Sequence, residues 1–293
     1  MSTPTDSLSA LGTMFMRSLR IFYHARTLFL VTIFTPVLLW VFQYGFFKPQ
    51  TFAVIESLRT DADASTLTDA WYFSSVIVLT AFVTTAAVMV GFLTDTHSGK
   101  LGLHLSTGAK AWQIIWGYIL AATLVGVIAS VCVVVFGQVW ALAFGQPIIP
   151  VSSWLGVLGG ILLGTLFFAA LHAGAVTLTH SHGAFGAYTF LMGTTSGVLS
   201  FAFTVNLRVG MTQVVGFLPF AQIMALIREP LLRPGLNSAA QRQHELEDLL
   251  GVHIHQGHGG EWAIWLVVAC LIGWIILATI FCHYRVNRLL NGR

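Results

Sequence analysis

The chain has 293 residues, of which 56% are hydrophobic and 9% are charged, with a formal net charge of +3. Its mean hydropathy is +0.81. Soluble domains are about 25% charged, so this composition excludes a soluble protein and predicts an all-α integral membrane protein. The basic residues flank apolar runs rather than forming a stripe, which argues against a nucleic-acid partner. We expect one transmembrane domain over residues 1–293.

The N-terminal region has the pattern of an amphipathic helix. Over residues 8–26, bulky apolar side chains recur at three- and four-residue steps, while Arg17 and Arg20 fall on the opposite face. Such a helix lies in a membrane interface with its basic face toward water, and we place it on the cytoplasmic side. A solvated lead-in to the first membrane span is the alternative.

Six apolar runs are long enough to cross a bilayer, whose core of about 30 Å needs about 20 helical residues. The predicted spans cover residues 27–47, 70–94, 114–144, 154–179, 185–205 and 262–284. The fourth contains Gly156, Gly160 and Gly164, a repeat that predicts close packing against another helix.

Residues 213–227 are apolar but too short to cross, because they are interrupted by Gly216 and Pro219 and are followed by Arg228-Glu229-Pro230. Residues 213–235 suit a re-entrant segment on the outer side that bends over Gly216-Phe217-Leu218-Pro219. In this interpretation Pro230 ends its second limb, and Arg228 and Glu229 lie at the outer interface. The polar insert that follows, residues 236–258, has a helix-prone composition.

Residues 94–112, here called the central loop, form a polar island between two long apolar runs. Loops rich in lysine and arginine stay inside, so Lys100 and Lys110 place this loop on the cytoplasmic side. With six spans both termini are also cytoplasmic, and the inner segments then hold eight of the 14 Lys and Arg residues. We expect the Ser106-Thr107-Gly108 cluster to end a short helix within the loop.

The chain carries no recognisable catalytic motif. Gly99-Lys100 is followed by Leu101 where a phosphate-binding loop needs Ser or Thr, so we expect no ATP hydrolysis by this chain. We also expect no carboxylate inside the spans, which argues against a proton-coupled transporter.

The histidines offer a second kind of site. The histidines of the polar insert could bind a metal, although a solvated loop is the better interpretation, and we expect no metal site. These are His244, His253, His255 and His258. For His172, an interfacial hydrogen-bonded side chain is favoured over a functional one.

At this point the chain resembles the permease subunits of type-2 ABC exporters, the ABC-2 family. The order of elements carries most of the resemblance. Residues 95–101, Asp-Thr-His-Ser-Gly-Lys-Leu, are similar to the family's acidic-x-x-x-Gly-x-Leu loop, and Pro219 with Ile227-Arg228-Glu229-Pro230-Leu231 is similar to its Pro…Arg…Leu segment. The sequence departs from many relatives at residues 104–108, where they have a Thr-Pro step.

The resemblance implies a complex of two permeases, identical or homologous, with two copies of a separate ABC ATPase that carries the ATP and Mg. It implies a multi-pass protein of the plasma membrane with cargo passing between the permeases. The residues expected to receive the ATPase motion are Arg17, Arg20, Asp95, His97, Ser98, Gly99, Lys100 and Leu101.

Cargo in this family ranges from drugs to lipids and lipid-linked glycans. We favour multidrug efflux, of a drug or another amphipathic small molecule, because the expected lining is aromatic and Met-rich. That lining comprises Phe34, Trp40, Phe42, Phe190 and Met192. Export of a lipid-linked glycan or lipid, and an ATPase-independent channel or membrane anchor, remain as alternatives.

Overall fold

A computed structural model describes the chain over most of its helices. The described residues are 4–46, 52, 56, 64–106, 108–143, 149–202, 218–236, 247, 250, 252, 255–256, 260–261 and 263–290. Within these ranges the fold is helical apart from one pair of two-residue strands. The helices whose bounds fall in the described ranges are α1 (Pro4–His24), α2 (Arg26–Phe46), α3 (Ala64–His97), α4 (Lys100–Ser106), α5 (Ala111–Ala143), α6 (Val151–Leu178), α7 (His182–Ala202), α8 (Pro219–Leu236) and α9 (Ile264–Leu290).

Helix α1 is amphipathic, as the sequence predicts. Met14, Ser18 and Phe22 are buried at four-residue steps, while Arg20 and Tyr23 are exposed. The chain then bends by 84° at Ala25 before α2 begins. This bend lets α1 lie across the ends of other helices while α2 runs along them.

Helix α3 is the central helix of the bundle. It packs against α1, α2, α5, α6, α7 and α8 and is almost wholly buried. A helix that is apolar on every side is usually buried, and α3 has no polar face along most of its length. Most of its buried hydroxyls, though not that of Thr80, bond to carbonyls one turn earlier on the same helix, as Thr84 does to the Thr80 carbonyl at 2.7 Å. Hydroxyl groups are thereby satisfied without a partner helix.

Four helices are long and apolar enough to cross a membrane within the described ranges. These are Leu67–His97, Ala111–Ala143, Val151–Leu178 and Ile264–Arg288. The bent pair Ala10–His24 with Arg26–Phe42 makes a fifth if it is a single span. The chain is therefore a multi-pass helical membrane protein, and the count of six spans stays a prediction.

Asp69 and Asp95 lie near the two ends of the helical span Leu67–His97, and each is buried. A helix of this length exceeds the bilayer core, so the absence of carboxylates from that core stays a prediction. The sequence interpretation assigned both to loops because the helix extends further at each end than the apolar run does.

The glycine repeat of α6 faces α8. The predicted close packing is therefore confirmed, and α8 is the partner helix. A Cβ atom built at Gly160 would lie 2.8 Å from Ile227 Cγ1 and 3.3 Å from the backbone of Leu226. Gly156 meets Pro230 and Gly164 meets Ile223 in the same way. The absence of side chains thus lets the two helices approach closely.

Helix α8 corrects the interpretation of residues 213–235. Pro219 opens the helix, a favoured position because its missing N–H has no partner there. Pro230 does not end a limb but lies inside the helix, which continues to Leu236. Since Pro230 cannot donate to the Leu226 carbonyl, the tight contact with Gly160 stabilises a helix that the local rule would interrupt. Residues 213–217 lie outside the described residues.

The described residues of the polar insert are partly helical and partly extended: Glu247 and Leu250 are helical, and a small hairpin follows. Strand β1 (His255–Gln256) pairs antiparallel with β2 (Gly260–Glu261), with His255 opposite Glu261. His244, His253 and His258 lie outside the described residues. Among the described residues, no group of three or more His, Cys, Asp or Glu side chains could hold a metal ion.

Candidate coupling site at the central loop

The central loop is a turn, a short helix and a second turn. Helix α3 ends at His97, and Gly99 adopts a φ of 72°, in the left-handed region that favours glycine. Helix α4 follows and ends at Ser106, and Gly108 has a φ of 87°. The expected helix break at residues 106–108 is therefore confirmed. The Lys110 N–H donates to the Gln113 side-chain oxygen at 2.7 Å where α5 begins.

Asp95 is the centre of this site. The two terminal nitrogens of the Arg17 guanidinium donate to the two carboxylate oxygens of Asp95. Nη2 lies 2.9 Å from Oδ1, and Nη1 contacts Oδ2. The Tyr118 hydroxyl also donates to Oδ2 and accepts from Arg17 Nη1 at 2.8 Å. Three side chains from α1, α3 and α5 thus form one closed network, here called the inner network.

The inner network is buried. Asp95 is 2% exposed and Tyr118 is fully buried, with its ring stacked on Phe92 at 4.8 Å between centroids. The Arg17 side chain is 27% exposed. A buried carboxylate is costly unless it is paired and hydrogen-bonded, and Asp95 meets both conditions. Loss of any member would leave the others incompletely satisfied.

Helix α1 is seated tightly enough to hold Arg17 in place. A Cβ atom built at Gly117 of α5 would lie 2.6 Å from Met14 Cβ, so the two helices nearly touch there. Arg20 is separated from the inner network and stays exposed on the outer face of α1. The two arginines that the sequence placed together therefore have different surroundings.

The other residues expected at this site divide between surface and core. Ser98, Gly99 and Lys100 are exposed, whereas Leu101 is 5% exposed and packs in the hydrophobic core. His97 Nε2 lies 3.3 Å from the Thr179 carbonyl, which links the central loop to the turn between α6 and α7. On α4, burial and then the charge of Arg17 lower the pKa of His104, so this side chain is neutral at neutral pH.

Sequence reasoning missed Tyr118. It is the only tyrosine of α5 and lies two turns inside the helix, and that isolated hydroxyl was the available signal. The pairing of Arg17 with Asp95 was also missed, although both residues were expected at the coupling site.

His172 is buried within the helical bundle. Its Nε2 lies 3.1 Å from the Phe82 carbonyl, and its Nδ1 lies 3.3 Å from the Tyr188 hydroxyl. A carbonyl only accepts, so Nε2 carries the proton and Nδ1 accepts from Tyr188. The prediction of a hydrogen-bonded histidine is confirmed.

The residues expected to line a cargo path do not share one environment. Phe34, Phe42 and Phe190 are exposed, and Met192 is partly buried against the core. Trp40 is 7% exposed and packs edge-on against Trp140 at 4.4 Å between centroids.

At α8, the Arg228 side chain is fully buried in the protein, and its predicted place at the outer membrane interface stays a prediction. Glu229 is partly exposed and forms an ion pair with Arg233 one turn later.

The fold and the site define the class of protein: it is a multi-pass helical bundle with a buried ionic network beside a polar loop. The chain matches the family described as ABC-2 family transporter protein over residues 50–282, and it belongs to that family. Comparison with curated proteins and with solved structures gave no significant match. Membership makes the chain a membrane component of an ABC transporter and implies association with an ABC ATPase.

Proposed function

We propose that this chain is the transmembrane subunit of an ATP-driven exporter that moves a drug-like or amphipathic small molecule out of the cytoplasm. A separate ATPase subunit, in two copies, binds ATP and Mg and supplies the energy. Two permeases, identical or homologous, form the path in the plasma membrane. Each has six spans, counting α2 and α7, and keeps both termini in the cytoplasm.

The observation that carries this proposal is the inner network. It ties α1 and the start of the central loop to α5, so a push on either surface element reaches long helices of the bundle. Around it, Arg20, Ser98 and Lys100 are exposed for contact with a partner. The ATPase docks on this surface, against α1 and the central loop.

The choice of cargo rests on the exposed aromatic side chains. Phe34, Phe42 and Phe190 are between 52% and 72% exposed in the single chain. Flat apolar groups of this kind suit an amphipathic molecule better than a sugar chain, which needs hydrogen-bonding side chains. The lipid that covers such residues in a membrane is chemically similar to that cargo.

The test is copurification followed by measurement of ATP hydrolysis in vesicles. We expect an ABC ATPase to copurify and amphipathic compounds to stimulate its turnover, while the chain alone hydrolyses nothing. Stimulation only by lipid-linked glycans would replace the drug-like cargo with a glycan. A chain that purifies without an ATPase and conducts solutes unaided would be a channel, and the proposal would fall.

A further inference from the structure

Arg228 is a charged side chain buried at the opposite end of α3 from Asp95. Its Nε donates to Ser74 Oγ at 3.1 Å and its Nη2 to Ser75 Oγ at 3.3 Å, both on α3. Its Nη1 donates to the Leu250 carbonyl at 3.1 Å, and its guanidinium carbon lies 4.8 Å from the centre of the Trp71 ring. One arginine thus joins α8, α3 and Leu250.

The contact around Arg228 belongs to a small second core, here called the outer cluster. Its apolar members are Ala64, Leu67, Trp71, Tyr72, Leu232, Leu236, Leu250 and Val252. This cluster is distinct from the main core, which holds most of α8, including Phe220 packed against Phe82 of α3. An opening at the outer cluster therefore separates only Leu250 and the C-terminal end of α8 from α3. On its other side α8 is fixed to the glycines of α6.

The three acceptors named above each have a second hydrogen-bonding contact besides Arg228. Trp71 Nε1 also donates to the Leu250 carbonyl at 3.2 Å, and the Ser74 hydroxyl donates to the Trp71 carbonyl at 2.6 Å. Ser75 Oγ lies 3.4 Å from that same carbonyl. Replacing Arg228 with an apolar side chain of similar length therefore leaves these groups with a partner.

A buried arginine is a poor way to make a joint permanent. It stays protonated at any physiological pH, and its desolvation offsets much of what its hydrogen bonds contribute. If the joint opens to water, the arginine is hydrated and recovers that cost. An apolar side chain at the same place behaves in the opposite way, because its exposure is unfavourable.

We infer that Arg228 makes the joint between α8, Leu250 and α3 releasable, so that the outer end of the bundle can open. This inference rests on the proposed export function, in which the outer end must open to release cargo. Arg228 is a positioning residue here, because it sets the balance between the closed and open arrangements and need not touch cargo.

The experiment measures opening directly, without ATPase or cargo. Leu250 is fully buried, so Leu250→Cys, in a background with Cys132, Cys270 and Cys282 replaced by Ala, reports opening through its reaction rate with a thiol reagent. We expect Arg228→Met to slow this reaction by roughly fivefold or more while the melting temperature stays equal or rises. Arg228→Lys, which keeps the charge, should react at close to the parent rate. Arg233→Met on the same helix is the control, since Arg233 is exposed, and it should change nothing.

Faster labelling and a lower melting temperature in Arg228→Met would show that Arg228 is a simple structural tie, and equal labelling in all variants would equally overturn the inference. Val252→Cys, 3% exposed in the same cluster, repeats the measurement if Leu250→Cys fails to fold. A separate export assay then distinguishes the two proposals. Slowed labelling with unchanged export would retain the releasable joint and remove its role in transport.

Discussion

At the scale of single residues, the energetics of the inner network depend on Asp95. Its carboxylate receives the fork of Arg17 and the hydroxyl of Tyr118, so its charge is balanced and its oxygens are bonded in the interior. Truncating one member of such a network costs more than the net contribution of the network to stability, because the remaining groups stay buried without partners.

Asp95→Asn should therefore destabilise the protein by about 3 kcal/mol, since a neutral amide cannot balance Arg17. Tyr118→Phe removes one hydrogen bond and should cost about 1 kcal/mol. Thermal unfolding in detergent measures both, with the exposed Lys100→Gln as a control that leaves the melting temperature unchanged. Asn at position 95 with parental stability would show that the ion pair contributes nothing.

The two charged members of this site could be predicted from the sequence, but their contact could not. Arg17 and Asp95 are 78 residues apart, and their pairing depends on how α1 is rotated against α3 and α5. Amphipathic periodicity restricts that rotation for α1 only. Helices α3 and α5 are apolar on nearly every side, so their sequences do not indicate which face meets which neighbour.

At the scale of helices, the packing of α6 on α8 could be predicted in part, because the sequence of α6 indicates which of its faces makes a close contact. The four-residue repeat of glycines predicts a smooth face and close contact, and that face exists. Its partner could not be predicted, because Pro230 and Arg228 indicated an interrupted segment at the surface. Tertiary contacts overrode the proline rule, and hydrogen bonds to Ser74 and Ser75 made burial of the arginine feasible.

Two neighbouring glycines of α6 give a matched test of this packing. Gly160→Leu should overfill the contact with Ile227 and cost about 1–3 kcal/mol. Gly159→Leu places the same side chain where nothing lies within 4 Å, so it should be neutral or stabilising. Thermal unfolding compares them. Equal melting temperatures for the two variants would show that the repeat does not hold α8.

At the scale of the whole molecule, α3 carries polar ties at three levels. Asp95 joins it to α1 and α5, the Phe82 carbonyl joins it to His172 of α6, and Ser74 and Ser75 join it to Arg228 of α8. A single buried helix thus connects the coupling site with the outer cluster. Rigid elements with specific contacts at both ends are physically suited to transmit a displacement between distant sites.

The central claim is that the inner network transmits the motion of the ATPase to the bundle. The direct measurement is the number of cargo molecules exported per ATP hydrolysed, in vesicles that contain the chain and its ATPase. Tyr118→Phe is the variant to use because it changes one hydroxyl of the network, and Tyr284→Phe is the matched control because Tyr284 is 61% exposed. We predict that Tyr118→Phe continues to hydrolyse ATP but exports about fivefold less cargo per ATP than the parent, with Tyr284→Phe unchanged. An unchanged ratio in Tyr118→Phe would contradict the account.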